Sequence, residues 1–253
     1  MKTAPAYFLE TLHRLLKGEK KMDHALEYLT KDPVLHADML GCIRRGSARV
    51  LAASGEGVLL FDGESGTHML SAASKEEALR LLTDLNSSEM FVSHQEYCAD
   101  AAEEKFGLHE RMPVCNAAYL EGRLLPETGR PAEIRPMDET YLPFVKEHYR
   151  NVSDEEYLLG RLRAGVMFGA FAGGEPAGFI GMHEEGSMGM LEVLPRFRRR
   201  GIALMLETFQ SNRLMKAGLV PYAQIKAGNE VSVALHRRLG FRMSDYSICW
   251  MTR

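Results

Sequence analysis

The sequence predicts an α/β (α+β) protein: a mixed, twisted sheet flanked by helices, preceded by a second α/β domain. Three observations predict it. Short apolar runs of strand length alternate with longer segments whose apolar residues recur at helical spacing. Residues 121–131 are dense in glycine, proline and charge and divide the chain. Finally, Met190 to Leu204 reads as a strand, Pro195, a run of arginines, Gly201 and a helix start in one unit.

In the first half, Leu9, Leu12, Leu15 and Leu16, then Met22, Ala25, Leu26 and Leu29, have helical spacing. Residues 5–30 therefore form two helices, parted at Gly18 and closed by Asp32-Pro33. Residues 48–53 and 57–62 are strands joined by Ser54-Gly55-Glu56. Ser74-Lys75-Glu76-Glu77 is a capping box that starts a helix through Leu85. Phe91-Val92 begins a strand, Ala99 to Phe106 is helical and stops at Gly107, and residues 112–119 form the last strand. Domains are expected at 1–125 and 131–253.

The second half starts at Ile134-Arg135-Pro136, followed by a helix over 139–149. A second capping box, Ser153-Asp154-Glu155-Glu156, opens a helix to Arg163. Strands at 166–172, 177–183 and 187–194 are joined by Gly173-Gly174-Glu175 and Glu184-Glu185-Gly186. A helix over 200–217 stops at Gly218, a strand covers 221–226, a helix begins at Asn229 and reaches Leu239, and a last strand covers 244–252.

The junction before the 200–217 helix is built for an anion. The first N–H groups of a helix lack partners, and the helix dipole is positive there. Gly201 lets backbone approach a ligand without a Cβ in the way, and the arginines add charge and paired donors. The chain has no G-x-x-x-x-G-K-[ST] and no three spaced glycines, so this is neither a nucleotide P-loop nor a dinucleotide fingerprint. It does read [QR]-x-x-G-x-[GA], as Arg198-Arg199-Arg200-Gly201-Ile202-Ala203. Downstream, a strand is followed by Asn229, Ser232 and a helix ending in Leu239-Gly240-Phe241. Together these two blocks resemble the GNAT superfamily of acyl-CoA N-acyltransferases. Leu191-Glu192-Val193-Leu194-Pro195 and Val220-Pro221-Tyr222 look most like its glycine N-acyltransferase-like branch.

The resemblance implies transfer of an acetyl group from acetyl-CoA to a primary amine of a small molecule, amino acid or peptide, by direct attack in a ternary complex. It places the CoA pyrophosphate on the N–H groups of residues 199–204, with Arg198, Arg199, Arg200, Gly201, Ile202, Ala203 and Leu204 as the loop. It has the backbone of Leu191, Glu192 and Val193 pair with pantetheine, one N–H holding the thioester oxygen. Asn229 and Ser232 belong near pantetheine, and Asn229 reads equally as a helix cap. His236 stands where many members carry a tyrosine that protonates the thiolate; it is a candidate acid or an ordinary helix-face histidine. Glu192 is a candidate base acting through water, and its side chain alternates opposite to Leu191 and Val193. Gln224, on the next strand, cannot titrate.

The first half echoes the second. Its 91–119 segment runs strand, helix, Phe106-Gly107-Leu108, strand, and three strands and a helix precede it, as they precede Leu239-Gly240-Phe241. It reads as a degenerate repeat or as an unrelated α/β domain. The counterpart of the phosphate loop is Ser71-Ala72-Ala73-Ser74-Lys75, without glycine or arginine, so no CoA is expected there.

Composition narrows the alternatives. A net charge of −3 gives no global attraction to nucleic acid or anionic membrane, which leaves the Arg196–Arg200 cluster as the exception and argues against a nucleic-acid binder. Cys42, Cys98, Cys115 and Cys249 form no C-x-x-C pair and the histidines add no metal spacing, so no metal is expected and the thiols read as reduced, in a cytoplasmic protein. No apolar stretch reaches membrane-spanning length. The competing reading is a catalytically silent CoA-binding or regulatory module. Acceptor, acyl length and the choice between monomer and homodimer are open.

Overall fold

The computed structural model describes residues 20–127, 129, 131–151 and 154–253. The helix expected over Leu9–Leu16 and the Ser153 position of the second capping box lie outside them. By packing, the chain forms two compact units, Met1–Gly122 with Tyr222–Arg253, and Arg123–Pro221.

The first unit contains helices α1 (Lys20–Leu29) and α2 (Ala37–Arg45), strands β1 (Ala48–Ser54), β2 (Gly57–Asp62) and β3 (Thr67–Ala72), helix α3 (Lys75–Leu82), strand β4 (Phe91–Ser93), helix α4 (Glu96–Phe106) and strand β5 (Glu110–Ala118). The second unit contains β6 (Glu133–Pro136), a 3-10 turn at Glu139–Tyr141, α5 (Leu142–His148), α6 (Glu155–Arg163), the strands β7 (Phe168–Ala172), β8 (Glu175–Met182) and β9 (Met188–Val193), a 3-10 turn at Pro195–Phe197 and α7 (Ile202–Lys216). The chain then returns to the first unit with β10 (Tyr222–Lys226), α8 (Glu230–Arg238), β11 (Arg242–Met243) and β12 (Ile248–Thr252).

Most expected elements are present. Helix α2 goes beyond the sequence expectation: Gly41 in its middle lowers helix propensity, yet a Cβ there would stand 2.9 Å from the Tyr222 ring, so close packing requires the glycine. Of the strand expected over 244–252, residues 248–252 form β12, and the short strand β11 (Arg242–Met243) precedes the expected segment.

The division into units follows from strand pairing. β1, β2 and β3 are antiparallel neighbours, and β3 runs parallel to β4. β4 next pairs with β12, not with β5. β12 pairs on its other side with β5, and β5 pairs with β10, from Tyr222 opposite Ala118 to Lys226 opposite Val114. The last strand of the chain thus lies between two strands of its first half. The packing division falls at Gly122/Arg123 and at Pro221/Tyr222. The shared pairing carries a shared core: Cys249 and Met251 of β12 pack with Leu70, Phe91, Cys98 and Leu108.

The second unit is a four-stranded antiparallel sheet in the order β9-β8-β7-β6. One face carries α5 and α6, with Val145, Tyr149, Leu158, Leu162, Phe179 and Met190. The other carries α7, with Ile180, Leu194, Phe197, Ile202 and Leu206, and with Leu191 and Val193 partly buried against it.

Candidate functional site

The segment from β9 into α7 has unusual backbone. Opposite β8 the register shifts between Phe179 and Gly181, so β9 is bulged, and Met190 inside the bulge has φ +52°. A bulge turns side chains and backbone groups out of regular alternation. Leu191 and Val193 nevertheless face the α7 core, which leaves Glu192 on the opposite face, as alternation predicts.

Beyond Pro195–Phe197 the chain takes Arg198 through φ −63°, Arg199 through φ +64° and Gly201 through φ +82°. A left-handed conformation at an arginine is strained and has to be held by its surroundings. Alternating hands of this kind turn successive N–H groups inward into an anion-binding nest. Gly201 occupies the N-cap position of α7 and offers no side chain to cap it. Among the described residues, no protein acceptor takes the N–H groups of residues 199–204, while the first intrahelical bond beyond them runs from Met205 N–H to Gly201 O, 3.0 Å.

The arginines divide into two sets. Arg198 donates through Nε to Val193 O, 2.9 Å, and through Nη2 to Glu192 Oε1, 3.1 Å, tying the loop to β9. Arg196 pairs with Glu175 at 2.9 Å. Arg199 and Arg200 have no carboxylate partner among the described residues; both are exposed, and Arg200 lies over the Phe197 ring, 5.6 Å to its centroid. Of the four arginines expected at an anion, Arg196 and Arg198 are thus engaged with carboxylates, and Arg199 and Arg200 are not, among the described residues. Glu192, the expected base, is engaged in the ion pair with Arg198.

In the first unit, Asn229 caps α8 by accepting from Ser232 N–H at 3.1 Å. His236 is buried at 2% exposure. Its Nδ1 donates to Ser232 O, 2.9 Å, and its ring meets Phe241 edge-on at 5.0 Å. With the Nδ1 proton given to a backbone carbonyl, Nε2 is protonated only in the imidazolium.

The first unit also contains a polar centre that sequence reasoning missed. Asp38 on α2 accepts from His94 Nε2 at 2.9 Å, from Asn116 Nδ2 at 3.2 Å and from Gln224 Nε2 at 3.2 Å. His94 Nδ1 lies 3.1 Å from Leu70 O. Both partners of His94 only accept, so both of its nitrogens donate and the ring is a cation. Burial alone would lower the His94 value; the charge and hydrogen bond of Asp38 and the Leu70 carbonyl more than offset it and raise it. Burial would raise Asp38, and His94 outweighs it and lowers it. His36 is the opposite case. Its Nδ1 donates to Leu29 O, 3.0 Å, and its Nε2 faces Ser71 Oγ at 2.8 Å. Burial first, then the His94 charge, lower its value to about 4, so it is neutral. Ser71 and His36 resemble a nucleophile with its base, but both are buried, at 0% and 3% exposure, so the pair meets no substrate. A lone aspartate on a helix ordinarily reads as solvated, so Asp38 carries no signal in sequence.

Among the described residues no His, Cys, Asp or Glu group could hold a metal, the four cysteines are buried and form no disulfide, and no helix is long and apolar enough to cross a membrane.

Comparison with known proteins bears on this arrangement. Residues 169–251 match the family model FR47-like protein. No curated protein matches the chain by sequence. Among solved structures, a Drosophila protein aligns over 100% of this chain and 98% of its own at 16% identity, with a TM-score of 0.66. An acetyltransferase of the GNAT family from Colwellia psychrerythraea aligns over 100% and 99% at 13% identity, TM-score 0.52. A GCN5-related N-acetyltransferase from Sphaerobacter thermophilus aligns over 90% and 92% at 14% identity, TM-score 0.53. The fold is that of the GNAT superfamily. In this GNAT fold, the bulged β9 and the uncapped α7 form one continuous run, from Met188 to Lys216.

Proposed function

We propose that the protein transfers an acyl group, acetyl first, from acyl-CoA to a primary amine of a small molecule, amino acid or peptide, by direct attack in a ternary complex. The observation that carries this reading is the α7 N-terminus: a left-handed, uncapped loop whose N–H groups have no acceptor among the described residues, flanked by Arg199 and Arg200. An anion there is stabilised by oriented N–H groups, by the helix dipole and by charge together. The pyrophosphate of CoA is such an anion. The pantetheine arm then follows the backbone of Leu191, Glu192 and Val193, where one N–H takes the thioester oxygen and stabilises the charge that develops on it during attack. Asn229 keeps its role as the cap of α8, accepting from Ser232 N–H.

Glu192 acts in this scheme as the anchor of Arg198 rather than as an open base. His236 can protonate the leaving thiolate only from its doubly protonated form. A His236→Asn enzyme that keeps its kcat would leave His236 the packing role it has against Phe241. Those two placements favour the second reading, a CoA-binding module without turnover.

Calorimetry with acetyl-CoA on the wild type and on Gly201→Glu tests the site. Binding by the wild type that the substitution abolishes supports it, and release of free thiol with primary amines separates enzyme from silent module. A wild type that binds neither acetyl-CoA, a longer acyl-CoA nor free CoA would sink both readings.

A further inference from the structure

At the upstream end of β9 lies a histidine that neither the loop nor the proposed scheme uses. His183 follows β8 and is half-buried. The turn after it is tight: His183 N–H donates to Ser187 O, 3.0 Å, and Gly186 N–H to His183 O, 3.1 Å. The imidazole Nδ1 is 2.6 Å from the Tyr157 hydroxyl on α6. The Nε2–Cδ2 edge rests against Gly189 of β9, where a Cβ would stand 2.6 Å from Nε2. Glycine at that position is therefore what lets the ring lie on the strand. Among the described residues Nε2 has no hydrogen-bond partner, and it is not among the sealed-off polar atoms.

This position is informative because of direction. The anion loop is at the downstream end of β9, and Gly189 is four residues before Val193, about 13 Å along a strand. A CoA arm that starts at the loop and follows β9 brings its acyl end toward Met190 and Gly189, beside the imidazole. The charged and titratable groups that act on the pair are Arg161 on α6, Glu184 and Glu185 in the turn, and Tyr149 after α5. Arg161 is paired with Glu184 at 3.2 Å, and Glu185 is buried and accepts from Ser187 Oγ. An ammonium group fits this carboxylate-bearing, aromatic surface.

We propose that His183, oriented by Tyr157, is the base that accepts the proton of the acceptor ammonium. With its own proton on Nδ1, donated to the Tyr157 oxygen, the imidazole presents the Nε2 lone pair. The ammonium gives one proton to Nε2. The freed amine attacks the thioester carbonyl, the C–N bond forms, and the C–S bond breaks with its electron pair leaving on sulfur. The second amine proton goes to the thiolate, and Nε2 returns its proton to solvent. His183 is the catalytic residue and Tyr157 the positioning residue. Burial first, then the Glu185 charge, raise the Tyr157 phenol well above its ordinary range, so it stays a neutral hydroxyl throughout.

The inference rests on the acyl-CoA reading, and its test separates the two. Acetyl-CoA affinity is measured first, on wild type and His183→Asn; equal affinities are expected. Diethyl pyrocarbonate, which acylates an accessible neutral imidazole, is then applied to the wild type with and without acetyl-CoA, and His183 is followed by peptide mass spectrometry. Modification that acetyl-CoA blocks is expected. Thiol release with spermidine, tyramine and glycinamide completes the set: His183→Asn lowers kcat on the order of 100-fold with KM for acetyl-CoA unchanged, and Tyr157→Phe lowers it less while moving the acid limb of the pH profile. Intact acetyl-CoA binding with no protection of His183, or full kcat in the His183→Asn enzyme, would overturn the assignment alone. Absent acetyl-CoA binding would remove the acyl-CoA reading and this assignment with it.

Discussion

Two helices in this chain each start directly after the last strand of an antiparallel run, β3 of three and β9 of four, and their beginnings are opposites. α3 is closed. Ser74 Oγ accepts from Glu77 N–H at 3.2 Å, and Ala73 N–H reaches Glu56 O at 2.7 Å. The strand end before it is closed as well: Ala72 N–H donates to Gln95 Oε1 at 3.0 Å, Tyr97 donates to Ala72 O at 2.7 Å, and Leu70 O receives the His94 N–H at 3.0 Å. α7 is open, with Gly201 as a mute cap and two exposed arginines beside it. A helix start becomes an anion site only where the chain withholds its own acceptors. At α3 the corresponding groups are taken up by the chain's own side chains and carbonyls.

The comparison can be broken at its buried centre first. Asp38→Asn leaves the His94 cation without its counter-charge in the interior and should cost about 3–5 kcal/mol, read as a fall in the denaturant midpoint. Next comes pH. His36 has a folded value of about 4 against an ordinary 6.5. A depressed value means stability that is complete above the unfolded value and is lost as pH falls through the folded one. Unfolding free energy should therefore fall by roughly 3 kcal/mol as pH drops from about 6.5 toward 4, and His36→Gln should flatten that decline; an unchanged slope would mean that His36 is already charged in the fold.

On the open side, Arg199→Ala with Arg200→Ala should weaken acetyl-CoA binding by about 10- to 100-fold and make it less sensitive to salt, measured by calorimetry across a salt series. Equal salt dependence in variant and wild type would show that the backbone alone holds the anion. The smallest effect is expected at the closed start: Ser74→Ala should cost about 1 kcal/mol and leave acetyl-CoA affinity untouched. A change in affinity there would erase the distinction between the two helix starts.

Chemistry was legible in the sequence where it is local. Ser74 with Glu77, Asn229 with Ser232, and Gly201 ahead of an apolar helix are signals within four residues, and each helix starts where its signal stands. The commitment of Arg198 to Glu192 and Val193 O was not legible, because side-chain pairing across a turn depends on where the strand points. The Asp38 centre joins α2, β5, β10 and the residue after β4, and no periodicity in any one of them announces the others. In sequence His183 is only the last residue of an expected strand, and the fold alone shows that Gly189 makes room for its ring. The pairing of β4 with β12 was likewise beyond reach, since their sequences are separated by most of the chain.

That last pairing sets a timetable. On a ribosome the strands β4 and β5 emerge long before β12, the element that joins them and that runs to Thr252. Until then both present bare edges, the most association-prone surface a nascent chain can carry. Synthesis must pass through β12 before the opening half can close, and cutting the gene at the linker would yield two pieces that each lack the strand the other holds.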